Sequence, residues 1–134
     1  MSGLRLTAEL HDQIVAAARA ALPNEAVGLL VGAGAPERYI ATRNASASPY
    51  RYSIDPAEQL AAWTELEARG ESVLAIVHSH VRSGAEPSAT DVELAYFPES
   101  LYLIVSLADP AQPDIRAWSI VRGTTTEEKL QIEA

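Results

Sequence analysis

Residues 76–95, IVHSHVRSGAEPSATDVELA, end an apolar run with two histidines one residue apart, followed by a serine and an aspartate three residues apart. Side chains on a strand alternate between its faces, so His78 and His80 point the same way, about 7 Å apart, and Ser79 faces the other layer. Beyond His80 the stretch VRSGAEP is long enough to turn the chain. Ser88 then opens a helix whose third residue, Asp91, can face back towards the strand end. Two neutral imidazoles and one carboxylate can converge on one divalent ion. That donor set suits Zn²⁺ in a catalytic centre, because a fourth tetrahedral position is left for water.

Hydrolysis at such a centre also needs a proton acceptor, and Glu25 is the residue the sequence places best. It lies between Pro23, which ends a helical stretch, and the apolar segment AVGLLVG. At the margin of a sheet its carboxylate would meet low-dielectric surroundings that raise its pKa. Each of these residues also has a plainer reading. Ser88 with Asp91 is an ordinary capping pair, favoured by the helix dipole whatever the protein does. A His-x-His strand also occurs as an exposed edge or a hydrogen-bonded core pair, and Glu25 could be a solvated loop carboxylate. His11 sits in a polar helical stretch and is read as a surface residue with no role. The combination, rather than any single pair, favours a metal.

Positioning these groups requires a strand, a loop and a short helix, and the rest of the chain supplies matching elements. Leu4 and Leu6 mark an opening strand; Thr7 can cap a helix carrying Leu10, Ile14, Val15 and Ala18 on one side. AVGLLVG reads as a buried strand ending at Gly32, with RYIATRN as its hairpin partner. Asp55 as N-cap, Pro56, Glu58 and Gly70 delimit a second helix, with Leu60, Trp63 and Leu66 as its expected inner stripe. SVLAIVHSH is a strand covered on both faces, LYLIVSLA and DIRAWSIVRG are further strands, and KLQIEA can add an edge piece. Interleaved strands and helices predict an α/β sandwich on one mixed sheet.

The 134 residues, 48% of them apolar, fit one globular domain spanning 1–134. No cysteine is present, which excludes disulfides, a thiolate nucleophile and zinc-finger sites and fits a cytoplasmic address. A formal charge of −8 opposes binding to nucleic acid. No stretch reaches the roughly 18 uninterrupted apolar residues of a spanning helix, so no membrane partner is expected. Nothing in the sequence specifies an oligomeric state.

Glu25 ahead of the GLL strand, then HSH, seven residues, Ser88, two residues and Asp91 resemble the JAMM, or MPN-plus, metallopeptidase signature. LPNEAVGLLVG and YSIDPAEQL also resemble segments of small bacterial members. One departure is Val81, where the family often has proline; it bears on loop rigidity rather than ligation. The resemblance implies a cytidine-deaminase-like three-layer α/β/α sandwich and zinc-dependent cleavage of a peptide or isopeptide bond at the carboxyl end of a ubiquitin-like protein. It assigns His78, His80 and Asp91 as Zn²⁺ ligands, Glu25 as the proton carrier and Ser88 as donor to the oxyanion. For a small member it further implies a sulfur-carrier protein with a Gly-Gly tail as partner, and release of an amino acid such as cysteine. Tyr50, Arg51, Tyr52 and Arg82, in loops bordering such a channel, receive no assignment.

Two other readings stay open. A catalytically inactive scaffold of the same fold would show a broken ligand set, whereas all five positions are intact here. A zinc deaminase acting on a small molecule would use cysteine ligands and a His-x-Glu motif, and this chain has neither.

Overall fold

The computed structural model describes residues 3–133; Ala134, the last residue of the expected edge piece, lies outside them. Strand β1, Leu4–Thr7, runs into helix α1, Ala8–Ala21, where the Thr7 hydroxyl accepts the Leu10 N–H at 3.1 Å. The helix buries Leu10, Ile14, Val15 and Ala18, as its spacing predicts. Strand β2, Val27–Gly32, is buried throughout and forms an antiparallel pair with β3, Arg38–Thr42.

Helix α2, Pro56–Arg69, starts where the Asp55 carboxylate accepts the Glu58 N–H at 3.2 Å and ends at Gly70 with φ 68°. Its inner stripe differs from expectation. Leu66 is buried and Ala62 and Trp63 pack beside it, but Leu60 is 70% exposed. The cause is helical phase: residues six apart lie about 120° apart around the axis, too far for one stripe. Glu58, in turn, does not close a reciprocal cap; its side chain accepts the Arg43 N–H at 3.3 Å and ties the helix start to the end of β3.

The central sheet runs β3-β2-β4-β5-β6-β7, with β4 Ser72–His80, β5 Leu101–Ser106, β6 Asp114–Val121 and β7 Thr124–Glu128. Within this sheet, among the described residues, only β4 and β5 pair in parallel, and the crossover between them carries the short helix α3, Ala89–Glu93. Strand β8, Leu130–Glu133, leaves the sheet to pair in parallel with β1, making a separate two-stranded unit. Strand β7 was not anticipated. Its sequence, TTTEE, is polar and almost wholly exposed, so no apolar alternation announces it. It is formed by a tight turn in which Arg122 and Gly123 both take positive φ, 52° and 80°, matching the twist of an antiparallel pair.

Alternation along the strands divides the core into two. Leu30, Ala75, Val77, Leu103 and Val105 face α1 and β1, while Leu29, Ile76, Tyr102 and Ile120 face α2 and α3. The result is the expected α/β/α sandwich. His78 and His80 follow Ile76 in phase and therefore emerge on the α2/α3 side. Among the described residues no helix is long and apolar enough to cross a membrane.

Candidate metal-binding active site

β4 delivers His78 and His80 at its carboxyl end, and α3 delivers Asp91 from its first turn. All three are buried, as is Glu25 at 3% exposure. His80 Nε2 lies 2.8 Å from Asp91 Oδ2, and His78 Nε2 lies 3.2 Å from the same oxygen. One nitrogen from each histidine and one Asp91 oxygen all fall within 4.8 Å of one another.

The proton inventory of this cluster is incomplete without a cation. The Gly84 carbonyl, which can only accept, lies 2.7 Å from His80 Nδ1 and so fixes the ring proton there. In the neutral ring, Nε2 then directs a lone pair at a carboxylate oxygen, an arrangement that a metal ion or an added proton must bridge. Neither ring nitrogen of His78 has a hydrogen-bond partner, and neither does Glu25 Oε1. Each buried polar atom left unpaired costs about 1–3 kcal/mol. These donors fit a divalent ion held by two imidazoles and a carboxylate.

Electrostatics separate the two carboxylates. Burial pushes the Glu25 carboxyl up to about 7, with His80 opposing and Asp91 reinforcing the rise. Burial also pushes on Asp91, but the two imidazoles lying close against Oδ2, together with the Ser88 N–H, hold it well below the usual carboxylate range. Burial drives His78 down. The same effect on His80 is outweighed by Asp91 and the Gly84 carbonyl, and its net shift is upward. One carboxylate is thus poised to exchange a proton and the other to remain charged.

Backbone ties hold this geometry. The capping reading of Ser88 and Asp91 is correct: Ser88 Oγ accepts the Asp91 N–H at 3.0 Å, and Asp91 Oδ2 accepts the Ser88 N–H at 2.9 Å. The cap aims Oδ2 at the histidines, and the Ser88 O–H still has its proton to donate. Ser79, between the histidines but on the opposite face, accepts the Ala26 N–H at 2.7 Å and donates its own N–H to the Ala26 carbonyl at 3.1 Å. Glu25 is thereby locked beside β4.

Three contributors were not recognised from sequence. Asn44 donates to the Glu25 and Arg51 carbonyls at 3.0 and 2.9 Å and accepts the Ser46 and Ser53 N–H groups. Tyr52 stacks on His78 with centroids 4.4 Å apart. Trp118 Nε1 reaches across from β6 to the Ala85 carbonyl at 2.9 Å. The asparagine in a loop was a turn signal whose partners lie beyond any local pattern. The other two contacts are set by tertiary packing alone.

The loop after His80 begins with Val81 rather than proline but is pinned at three consecutive carbonyls. Ser106 Oγ donates to Ser83 at 2.6 Å, His80 to Gly84 and Trp118 to Ala85. Stiffness that proline would supply locally comes here from β4, β5 and β6. The loop forms one wall of a cleft of about 340 Å³ that is also lined by Glu25, Tyr50, His80 and Ser88.

Residues 7–121 match the family described as prokaryotic homologs of the JAB domain. The chain is 41% identical over 132 residues to the CysO-cysteine peptidase of Mycobacterium tuberculosis, covering 96% of this chain and 90% of the relative. It is 34% identical over 113 residues to a desampylase of Haloferax volcanii, covering 78% and 81%. A solution structure of a protein from Desulfitobacterium hafniense superposes with a TM-score of 0.88 at 38% identity, covering 97% of this chain and 92% of that one. With most of its length inside the match and its fold shared, this chain belongs to the prokaryotic JAB-domain family.

Proposed function

We propose that this protein is a zinc-dependent metallopeptidase that hydrolyses the amide bond after the terminal glycine of a ubiquitin-like or sulfur-carrier protein, releasing an amine such as cysteine. His78, His80 and Asp91 would hold the ion. When bound, zinc supplies Lewis acidity, bringing the pKa of a water molecule from about 15.7 down towards 7. Glu25 takes the proton that the attacking water loses and returns it to the departing nitrogen, a task suited to a carboxyl pushed up to about 7. Ser88, on the rim of the same cleft, donates its O–H to the oxyanion that forms as water adds to the carbonyl. A Gly-Gly tail suits a cleft of about 340 Å³ because it brings no side chains.

The observation that carries this reading is the convergence of buried lone-pair atoms of His78, His80 and Asp91 beside the unpartnered Glu25 Oε1. The relatives named for peptidase and desampylase activity support the substrate class. We read residues 1–134 as one catalytic domain with a cytoplasmic address. The test is to incubate zinc-loaded protein with ubiquitin-like carriers extended by single amino acids, with and without chelator. Chelator-sensitive release of the added amino acid is expected. Equal release in the presence of chelator would rule out a metal-dependent reaction.

A further inference from the structure

Five of the ten Arg and Lys side chains in this acidic protein are committed. Arg38, Arg43, Arg69 and Arg116 engage acidic side chains, and Arg19 donates to the Pro110 carbonyl. Arg82 engages no acidic side chain among the described residues. It is the one arginine or lysine lining the cleft that also contains Glu25, His80 and Ser88, and it is exposed to the cleft's solvent. The backbone around it is fixed: Leu107 N–H bonds the His80 carbonyl at 2.9 Å, and the carbonyls of Ser83, Gly84 and Ala85 are each held by a side chain. A guanidinium on so rigid a base loses little beyond its own rotamer freedom when it binds, and its planar fork matches a carboxylate.

Resting on the hydrolase reading above, we propose that Arg82 is a specificity-determining residue that binds the free α-carboxylate of the departing residue, so that the enzyme selects carriers ending in one added amino acid. In the reaction, water adds to the glycine carbonyl and the C–N bond breaks. The carrier leaves as a carboxylate, and the released amino acid takes a proton on its nitrogen and keeps its own carboxylate. That carboxylate lies two bonds from the scissile nitrogen, so a cation recognising it must line the catalytic cleft, as Arg82 does. An isopeptide with a lysine side chain, or a bond within a longer chain, presents no charge at that place.

The experiment compares two substrates, a carrier ending in Gly-Gly-Cys with a free carboxylate and the same carrier with a terminal carboxamide, using zinc-loaded wild type, Arg82→Gln and Arg82→Lys. Wild type is expected to prefer the free acid by about tenfold or more in kcat/KM, the scale of one hydrogen bond to a charged group. The preference should arise chiefly in KM, shrink at high salt, fall to near unity in Arg82→Gln and be partly restored in Arg82→Lys. An equal preference in wild type and Arg82→Gln overturns the inference while leaving the hydrolase reading intact. So does an equal KM rise for both substrates, which would place Arg82 against the body of the carrier. Failure of wild type to cleave either substrate overturns both.

Discussion

The burial that suits Glu25 to the proton transfer we propose for it has a consequence apart from activity. Burial pushes the Glu25 carboxyl up to about 7, against 4.5 when exposed. Between those values the folded chain binds more protons than the unfolded chain, so ionising Glu25 lowers stability as pH rises through that window. Glu25→Gln removes the penalty. Chelated Glu25→Gln is expected to be roughly 1–3 kcal/mol more stable than chelated wild type at pH 8, with the gap closing by pH 4. Denaturant titrations at both pH values decide this; no gap at pH 8 would mean that the carboxylate is well solvated. With metal present, the same variant should bind zinc normally yet lose about 10²- to 10⁴-fold in turnover, the usual contribution of general acid–base catalysis. Ser88→Ala should keep both metal and fold and lose about 10²- to 10³-fold. Losing zinc along with turnover would make Glu25 part of the ligand shell rather than the proton machinery, and would make the cap that aims Asp91, rather than an oxyanion contact, the main task of Ser88.

At the level of elements, each side of β4 has its own task. Its even-numbered residues carry Ile76 into the α2/α3 core and then the two histidines, whereas Ser79 reaches the other way to hold the Ala26 backbone. On the proposed reading, Ser79→Ala should therefore reduce turnover with little change in zinc content, because it loosens Glu25 and leaves His78, His80 and Asp91 alone. Metal analysis beside kinetics separates this from a ligand effect. In α2, Leu66→Ala is expected to cost about 2–5 kcal/mol as a buried large-to-small change. Leu60→Lys should stay within about 0.5 kcal/mol, as surface substitutions do. Comparable losses from both would contradict the observed phase of the helix. These elements also mark what was legible beforehand. Caps at Thr7, Asp55 and Ser88, and the apolar runs of β2, β4 and β5, were readable because local chemistry and tertiary packing agree there. Polar β7 and the inward face of α2 were misjudged or missed, since an exposed edge strand has no apolar signature and Leu60 is apolar without being buried.

For the molecule as a whole, the site stands where three parts of the chain far apart in sequence meet: the segment before β2, the end of β4 and the start of α3. The motif spacing singles out His78, His80, Asp91, Glu25 and Ser88, and the fold brings these residues together. The spacing could not disclose Asn44, Tyr52 or Trp118, whose contacts exist only once the sandwich has closed. A net charge of −8 on the chain gives the lone arginine of the cleft added weight, because an anionic substrate group meets repulsion over most of the surface. Proton competition for the imidazoles adds a further expectation. Zinc affinity should fall as pH drops, with competition beginning at His80, whose pKa is raised, and a flat profile from about pH 5 to 8 would speak against histidine ligation. The most direct measurement is zinc content by mass spectrometry after reconstitution and removal of excess metal, for wild type, His80→Ala and Glu25→Gln. One zinc per chain is predicted in wild type and Glu25→Gln, with loss in His80→Ala. Stoichiometric zinc in a folded His80→Ala variant, or none in wild type, would contradict it.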